Sequence, residues 1–183
     1  MEEYAYVLEY MPAGRSDDPK REPIVQLIGF NFFTLLEASA KPEATLVLGK
    51  KVYVGKDERP EINRIKRKVS YQELTTSAKD MLPNILRNLI GERETEFVNF
   101  LNKARPISMR VHTLDLLPGI GKKHMAIILE EREKKTFESF EDIKKRVTGI
   151  DPILVFTNRI ISELKGEERH NLFVMGPAPQ KRY

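Results

Sequence analysis

Cysteine and tryptophan are both missing from the 183 residues. Without cysteine the chain has no disulfides, thiolate zinc sites, iron–sulfur clusters or Cys nucleophile, a composition that fits a cytoplasmic protein. No apolar run approaches the ~18 residues of a membrane-spanning helix, so no membrane partner is expected. The opening residues, Met1-Glu2-Glu3-Tyr4, lack the basic and apolar regions of a secretory signal. Histidine is scarce. His112, His124 and His170 share no metal-ligand spacing, and neither a metal nor a cofactor is expected. A large excess of one charge is lacking too, since 31 Lys+Arg stand against 27 Asp+Glu and leave +4. Whether such a chain meets nucleic acid therefore depends on where its charges sit rather than on their sum.

Hydrophobic residues make up 40% of the chain and charged residues 32%, enough to bury the core of one ordinary domain or two small ones. Residues 1 to about 70 read as short strands. Tyr4–Met11 alternates, which predicts Tyr4, Tyr6, Leu8 and Tyr10 on one face and Ala5, Val7, Glu9 and Met11 on the other. A polar loop from Pro12 to Pro23, with Asp17 and Asp18, precedes a strand from Ile24 to Phe30. The apolar stretch from Asn31 to Leu36 has no readable period. Leu46–Leu48 and Lys51–Val54 flank Gly49 as a bulge or turn, and Ile62–Val69 is the last strand. Such a series predicts a small barrel or half-open sheet.

Ser70-Tyr71-Gln72-Glu73 has the form of a capping box at the start of a helical zone. Leu82, Ile85, Leu86, Leu89 and Ile90 recur at helical spacing up to Gly91, with Pro83 expected in the first turn or at a kink. Phe97, Phe100, Leu101 and Ala104 form a second stripe that ends at Pro106. Both helices read as packing elements.

The segment richest in chemistry is Leu114-Asp115-Leu116-Leu117-Pro118-Gly119-Ile120-Gly121-Lys122-Lys123. A short apolar helix should run into Pro118, and two glycines should allow a tight turn, pinned to the core by Ile120. A new helix then opens at Lys122. Its uncapped backbone amides form an arrangement that holds a phosphate oxygen, and Lys122 and Lys123 add positive charge there. The segment is not a Walker loop, which needs a Gly where Leu116 stands and Ser or Thr after the lysine. Nor is it a dinucleotide fingerprint, because no strand precedes it.

The pattern resembles the helix-hairpin-helix motif. A weaker copy, Val147-Thr148-Gly149-Ile150-Asp151-Pro152, lies 30 residues on, with Ser139 and Asp151 as candidate helix caps. Asp151 stands in place of the second glycine, and its carboxylate is expected to occupy the amides that a phosphate needs. The second hairpin accordingly reads as a brace for the first, with Gly149 retained as a candidate contact.

In the front part, Arg64, Lys66 and Lys68 alternate with Ile65 and Val69, which predicts three cations on one strand face, the outer two about 13 Å apart. Four basic residues and one acid lie between Glu61 and Tyr71, whereas residues 1–60 carry eight basic and ten acidic ones. The pattern fits either a solvated strand face with core tyrosines or a single-stranded nucleic-acid groove with stacking platforms. His124, one turn into the hairpin helix, fits a surface, capping or phosphate-contacting role.

The chain as a whole resembles an archaeal family known as domain of unknown function 655, on the opening Glu3-Tyr4-Ala5-Tyr6-Val7-Leu8-Glu9-Tyr10 and the central Leu117-Pro118-Gly119-Ile120-Gly121-Lys122-Lys123. The resemblance implies an OB-like barrel joined to a helix-hairpin-helix domain, nucleic-acid binding (RNA or DNA) without enzymatic activity, and genes beside those of translation and transcription. The expected fold class is α+β: an N-terminal small OB-like β-barrel, central helices and a C-terminal double helix-hairpin-helix domain. The corresponding segments are 1–70, a helical connector over 71–106, the double hairpin over 107–166, and a tail over 167–183 whose end, Gly176–Tyr183, reads as mobile.

The expected function is a non-enzymatic grip on backbone phosphate by Pro118, Gly119, Ile120, Gly121, Lys122 and Lys123, without base readout, with Arg64, Lys66, Lys68 and Gly149 as further candidates. No catalytic residue is expected. One alternative is a protein–protein adaptor of the translation or transcription machinery, in which the hairpins are purely structural. A DNA-repair glycosylase or lyase is a further alternative, for which Asp151 is the nearest downstream acid but reads as a helix cap.

Overall fold

The computed structural model describes residues 1–16 and 19–175. Asp17 and Asp18 of the expected loop and the expected mobile tail, Gly176–Tyr183, lie outside the described residues. The chain divides into two compact units, Met1–Ile85 with Ser162–Tyr183, and Leu86–Ile161.

The first unit is built on five antiparallel strands: β1 (Tyr4–Met11), β2 (Ile24–Gly29), β3 (Leu35–Ala40), β4 (Lys51–Tyr53) and β5 (Ile62–Lys68), in the order β4-β1-β2-β3-β5. After three hairpin-connected strands the chain returns to lay β4 beside β1, which makes the first four strands a Greek key. The sheet curls into a half-barrel. Ala5, Val7, Val25, Leu27, Leu36, Ala38, Val52 and Ile62 form its buried core.

Two expectations about strand faces need correction. The ladder between β1 and β2 shifts register between Val7 and Glu9, so Tyr10 stands opposite Val25 and packs on the core cluster with Ala5 and Val7. A bulge inserts one residue and reverses the alternation beyond it. Tyr10 thus leaves the face of Tyr4 and Tyr6. β5 carries two such shifts, which put Lys68 opposite Leu36, Ile65 opposite Ala38 and Arg64 opposite Ser39. Arg64 and Lys68 therefore lie on opposite faces, and the three-cation stripe does not form.

The unreadable stretch from Asn31 has a simple physical account. The buried Glu2 carboxylate accepts hydrogen bonds from the amides of Asn31 (2.8 Å), Phe32 (2.9 Å) and Thr34 (3.2 Å), shaping a turn in which Phe33 takes a φ of 54°. β3 follows with all six residues buried, so it shows no alternation. Leu46–Leu48, expected as a strand, is irregular, and Gly49 turns with a φ of 76°.

Ser70 and Glu73 make the expected capping box, but it opens a single 3-10 turn, Tyr71–Glu73. The long helix α1 (Thr76–Glu92) starts afterwards, with Thr75 Oγ1 accepting from the Ala78 amide at 3.1 Å. Pro83 consequently lies inside α1, beyond its first turn. At the other end of the chain, Glu163 is buried and accepts from the amides of Leu172 (2.7 Å), Phe173 (3.0 Å) and Val174 (2.8 Å).

The second unit holds α2 (Glu94–Lys103), α3 (Lys122–Lys134) and α4 (Phe140–Arg146), together with most of α5 (Pro152–Lys165). Phe156 anchors its aromatic core, with ring centroids 4.7 Å from Phe97, 5.8 Å from Phe100 and 6.5 Å from Phe140. Among the described residues no helix is long and apolar enough to cross a membrane.

Candidate nucleic-acid interface

A 3-10 turn, Thr113–Leu116, leads into the first hairpin, where a full short helix was expected. The chain then reverses over Leu117–Gly121, closed by a hydrogen bond from the Ile120 amide to the Leu117 carbonyl at 3.1 Å. Leu117 and Ile120 are buried, whereas Pro118, Gly119, Gly121, Lys122 and Lys123 are exposed. Gly119 has a φ of 89°, in the left-handed region that other residues rarely occupy. Gly121 has an ordinary φ of −83°, and a Cβ added there would meet nothing within 4 Å. No side chain caps α3, and its first intrahelical bond runs from the Met125 amide to the Gly121 carbonyl at 2.9 Å. The amides of Lys122, Lys123 and His124 thus form an uncapped helix start among exposed, positively charged residues.

The second hairpin repeats this geometry and closes it. Gly149 has a φ of 86°, and Ile150 is buried as Ile120 is. Here, however, Asp151 Oδ1 accepts from the amides of Ile153 (3.1 Å) and Leu154 (3.4 Å), and Pro152 has no N–H to offer. The acid also lies 3.9 Å from Lys144 Nζ. His124 lies beside the second turn, its Nε2 3.5 Å from the place a Cβ on Gly149 would take. The histidine is half-buried.

Several basic residues of this unit are spent on structure. Arg159 is buried and donates to the Leu116 carbonyl at 2.8 Å. Arg132 serves the carbonyls of Leu101 (2.9 Å) and Ala104 (2.8 Å) at the end of α2. Arg146 bonds Glu131, Asp142 and the Lys135 carbonyl, with its guanidinium 4.5 Å over Phe137. His112 caps the 3-10 turn: its Nδ1 accepts from the Leu114 amide at 3.1 Å while its own amide donates to Asp115 at 2.8 Å. Burial, aided by the Arg132 guanidinium, holds His112 below its ordinary pKa of 6.5, against the opposing pull of Asp115. A neutral ring is what this cap requires.

In the first unit, the candidates Arg64 and Lys66 both turn to Glu22, at 3.5 and 2.9 Å. The Lys66 ammonium, with help from Arg64, brings Glu22 down to about 2. Lys68 is exposed. The strand tyrosines part company as well: Tyr6 is buried, while Tyr4 is 43% exposed and meets Tyr53 edge-on at 5.4 Å. Lys51 Nζ stands 3.8 Å over Phe30 and 5.6 Å over both Tyr4 and Tyr6.

Positive charge is concentrated around the first hairpin. From Phe97 to Leu129 there are five Lys or Arg and a single acid, Asp115, giving the same +4 that the whole chain carries. The carboxylate of that acid is engaged by the His112 amide. This stretch brackets the first hairpin and includes an exposed turn over residues 107–111 that periodicity does not mark.

The model of the family described as "Protein of unknown function (DUF655)" matches residues 1–175. The chain belongs to this family. The uncharacterized protein MJ0038 of Methanocaldococcus jannaschii is 42% identical over 173 residues, covering 94% of this chain and 79% of that protein. A crystal structure of Af1531 from Archaeoglobus fulgidus, also of DUF655, is similar with a TM-score of 0.89 and 44% identity, over 94% of this chain and 99% of that one.

Proposed function

We propose that this DUF655 protein is a non-enzymatic nucleic-acid-binding protein that grips backbone phosphate at its first hairpin. The reading rests on the contrast between the two turns. One presents uncapped amides beside Gly121, Lys122 and Lys123, and its twin is filled by Asp151. A phosphate oxygen at the first turn would accept from the amides at the start of α3 and gain from the helix dipole and the two lysines. The paired left-handed glycines and buried isoleucines support a double helix-hairpin-helix arrangement, reduced at its first arm to a 3-10 turn. The five-stranded Greek-key half-barrel supports an open OB-like fold for the first unit.

Such a grip positions a nucleic acid without reading its bases. For about two to four neutralised phosphates, log K should fall against log salt with a slope of about −2 to −4 on duplex. Fluorescence anisotropy with RNA and DNA duplexes of unrelated sequence is the test. Comparable affinities across sequences and this slope are expected. Binding that ignores salt, or none at all with either polymer, would remove the proposal. Co-purification of a protein partner that survives nuclease and high salt would favour an adaptor in its place.

A further inference from the structure

We infer that the turn Ile107–Val111 is an apolar wedge that enters a base step of the nucleic acid held by the first hairpin. The inference rests on the phosphate-grip reading and adds to it a second contact, to bases instead of backbone. Ile107 is 59% exposed, Met109 105% and Val111 38%, an unusual concentration of apolar side chains in water. The turn that carries them is well tied. Pro106 pairs with His112, the Ile107 amide donates to the Val111 carbonyl at 2.8 Å, and Ser108 Oγ accepts from the amides of Arg110 (3.3 Å) and Val111 (3.2 Å). At the stem, Thr113 donates to the Arg105 carbonyl through its amide (3.1 Å) and its hydroxyl (2.6 Å).

Charge selects the occupant. No acid occurs from Val98 to Leu114, and Arg105 and Arg110 flank the apolar tip. Three side chains on a narrow projection also offer far less than the ~800 Å² per partner that a stable protein complex buries. Ile and Met set between cations instead match side chains that unstack a base step while their neighbours hold phosphate. The stem runs straight into the hairpin, since His112 at its base caps the 3-10 turn leading to Leu117–Gly121. Grip and wedge therefore share one rigid mount.

The test uses the full chain and duplexes carrying 2-aminopurine, whose fluorescence rises on unstacking, with anisotropy read on the same samples. Wild-type protein should raise the fluorescence at least about twofold. The pair Ile107→Ser and Met109→Ser, both exposed, should leave the melting temperature and the salt slope in place and abolish the rise. Gly121→Val should instead lose anisotropy. An anisotropy change without any fluorescence rise, or a rise that survives the double substitution, overturns the wedge and leaves the grip standing. Absence of binding by the wild type overturns both. A protein captured through Met109 after nuclease treatment would also overturn the wedge, by making the tip a protein contact.

Discussion

The Arg159 guanidinium, buried within α5, donates to the carbonyl of Leu116 at 2.8 Å, so the helix of the second hairpin holds the entrance of the first. The two hairpins are thereby coupled, and the closed one has a structural task. Replacing Arg159 by Ala leaves both a void and an unsatisfied carbonyl. The expected loss is about 2–4 kcal/mol, read from denaturant unfolding. A variant as stable as the parent would show that the contact contributes nothing.

Gly121 separates folding from binding. Its φ is ordinary and its surroundings are open, so Gly121→Val should melt near the parent temperature. It should nonetheless lose affinity for every nucleic-acid sequence alike, because the side chain would cover the amides at the start of α3. Gly119, at a φ of 89°, offers no such separation, and substitution there should cost about 1 kcal/mol of stability as well. Lys122→Gln and Lys123→Gln should each make the salt slope shallower by about one.

Asp151 should behave in the opposite sense. Asp151→Ala removes the cap of Ile153 and Leu154, for an expected loss of about 1 kcal/mol. The same change takes a negative charge from the neighbouring hairpin, so affinity for nucleic acid should rise. A fall in affinity would mean that Asp151 itself contributes to binding.

Acid should weaken the first unit through identifiable groups. Glu22, beside Lys66, and Glu73, bonded to the Ser70 amide and Arg67, both titrate at about 2 in place of 4.5. Folded-state values below the unfolded ones mean stability that is full above about 4.5 and disappears as pH falls toward 2. Glu22→Gln should flatten part of this fall in a series of melting curves.

His112 acts at milder pH with the same sign. Its folded value lies below 6.5, so its contribution is complete above that pH and declines as the ring becomes protonated and stops accepting from Leu114. His112→Asn, which can still cap, should remove the dependence near neutral pH.

Much of this architecture was legible because it rests on local chemistry. The β1 bounds followed from alternation, the Ser139 and Asp151 caps from residue type, and the two left-handed turns from their glycines. Long-range carboxylates were not legible. Nothing near Asn31 announces that Glu2 will bind three of the amides there. Bulges were equally hidden: each inserts one residue, so Tyr10 left the face of Tyr4 and Tyr6, and Lys68 left the face of Arg64. β3 escaped because burial on both sides erases a period of two. The exposed tip at Met109 escaped because periodicity finds what a fold hides and is blind to apolar residues left in water.

The three backbone donors gathered by Glu163 have a practical outcome for anyone trimming the protein. Ending the chain at Gly166 would deprive the Glu163 carboxyl group, only 4% accessible in the full chain, of all three of those partners. Shortened versions should retain residues through Val174, or replace Glu163 with Gln in the same step.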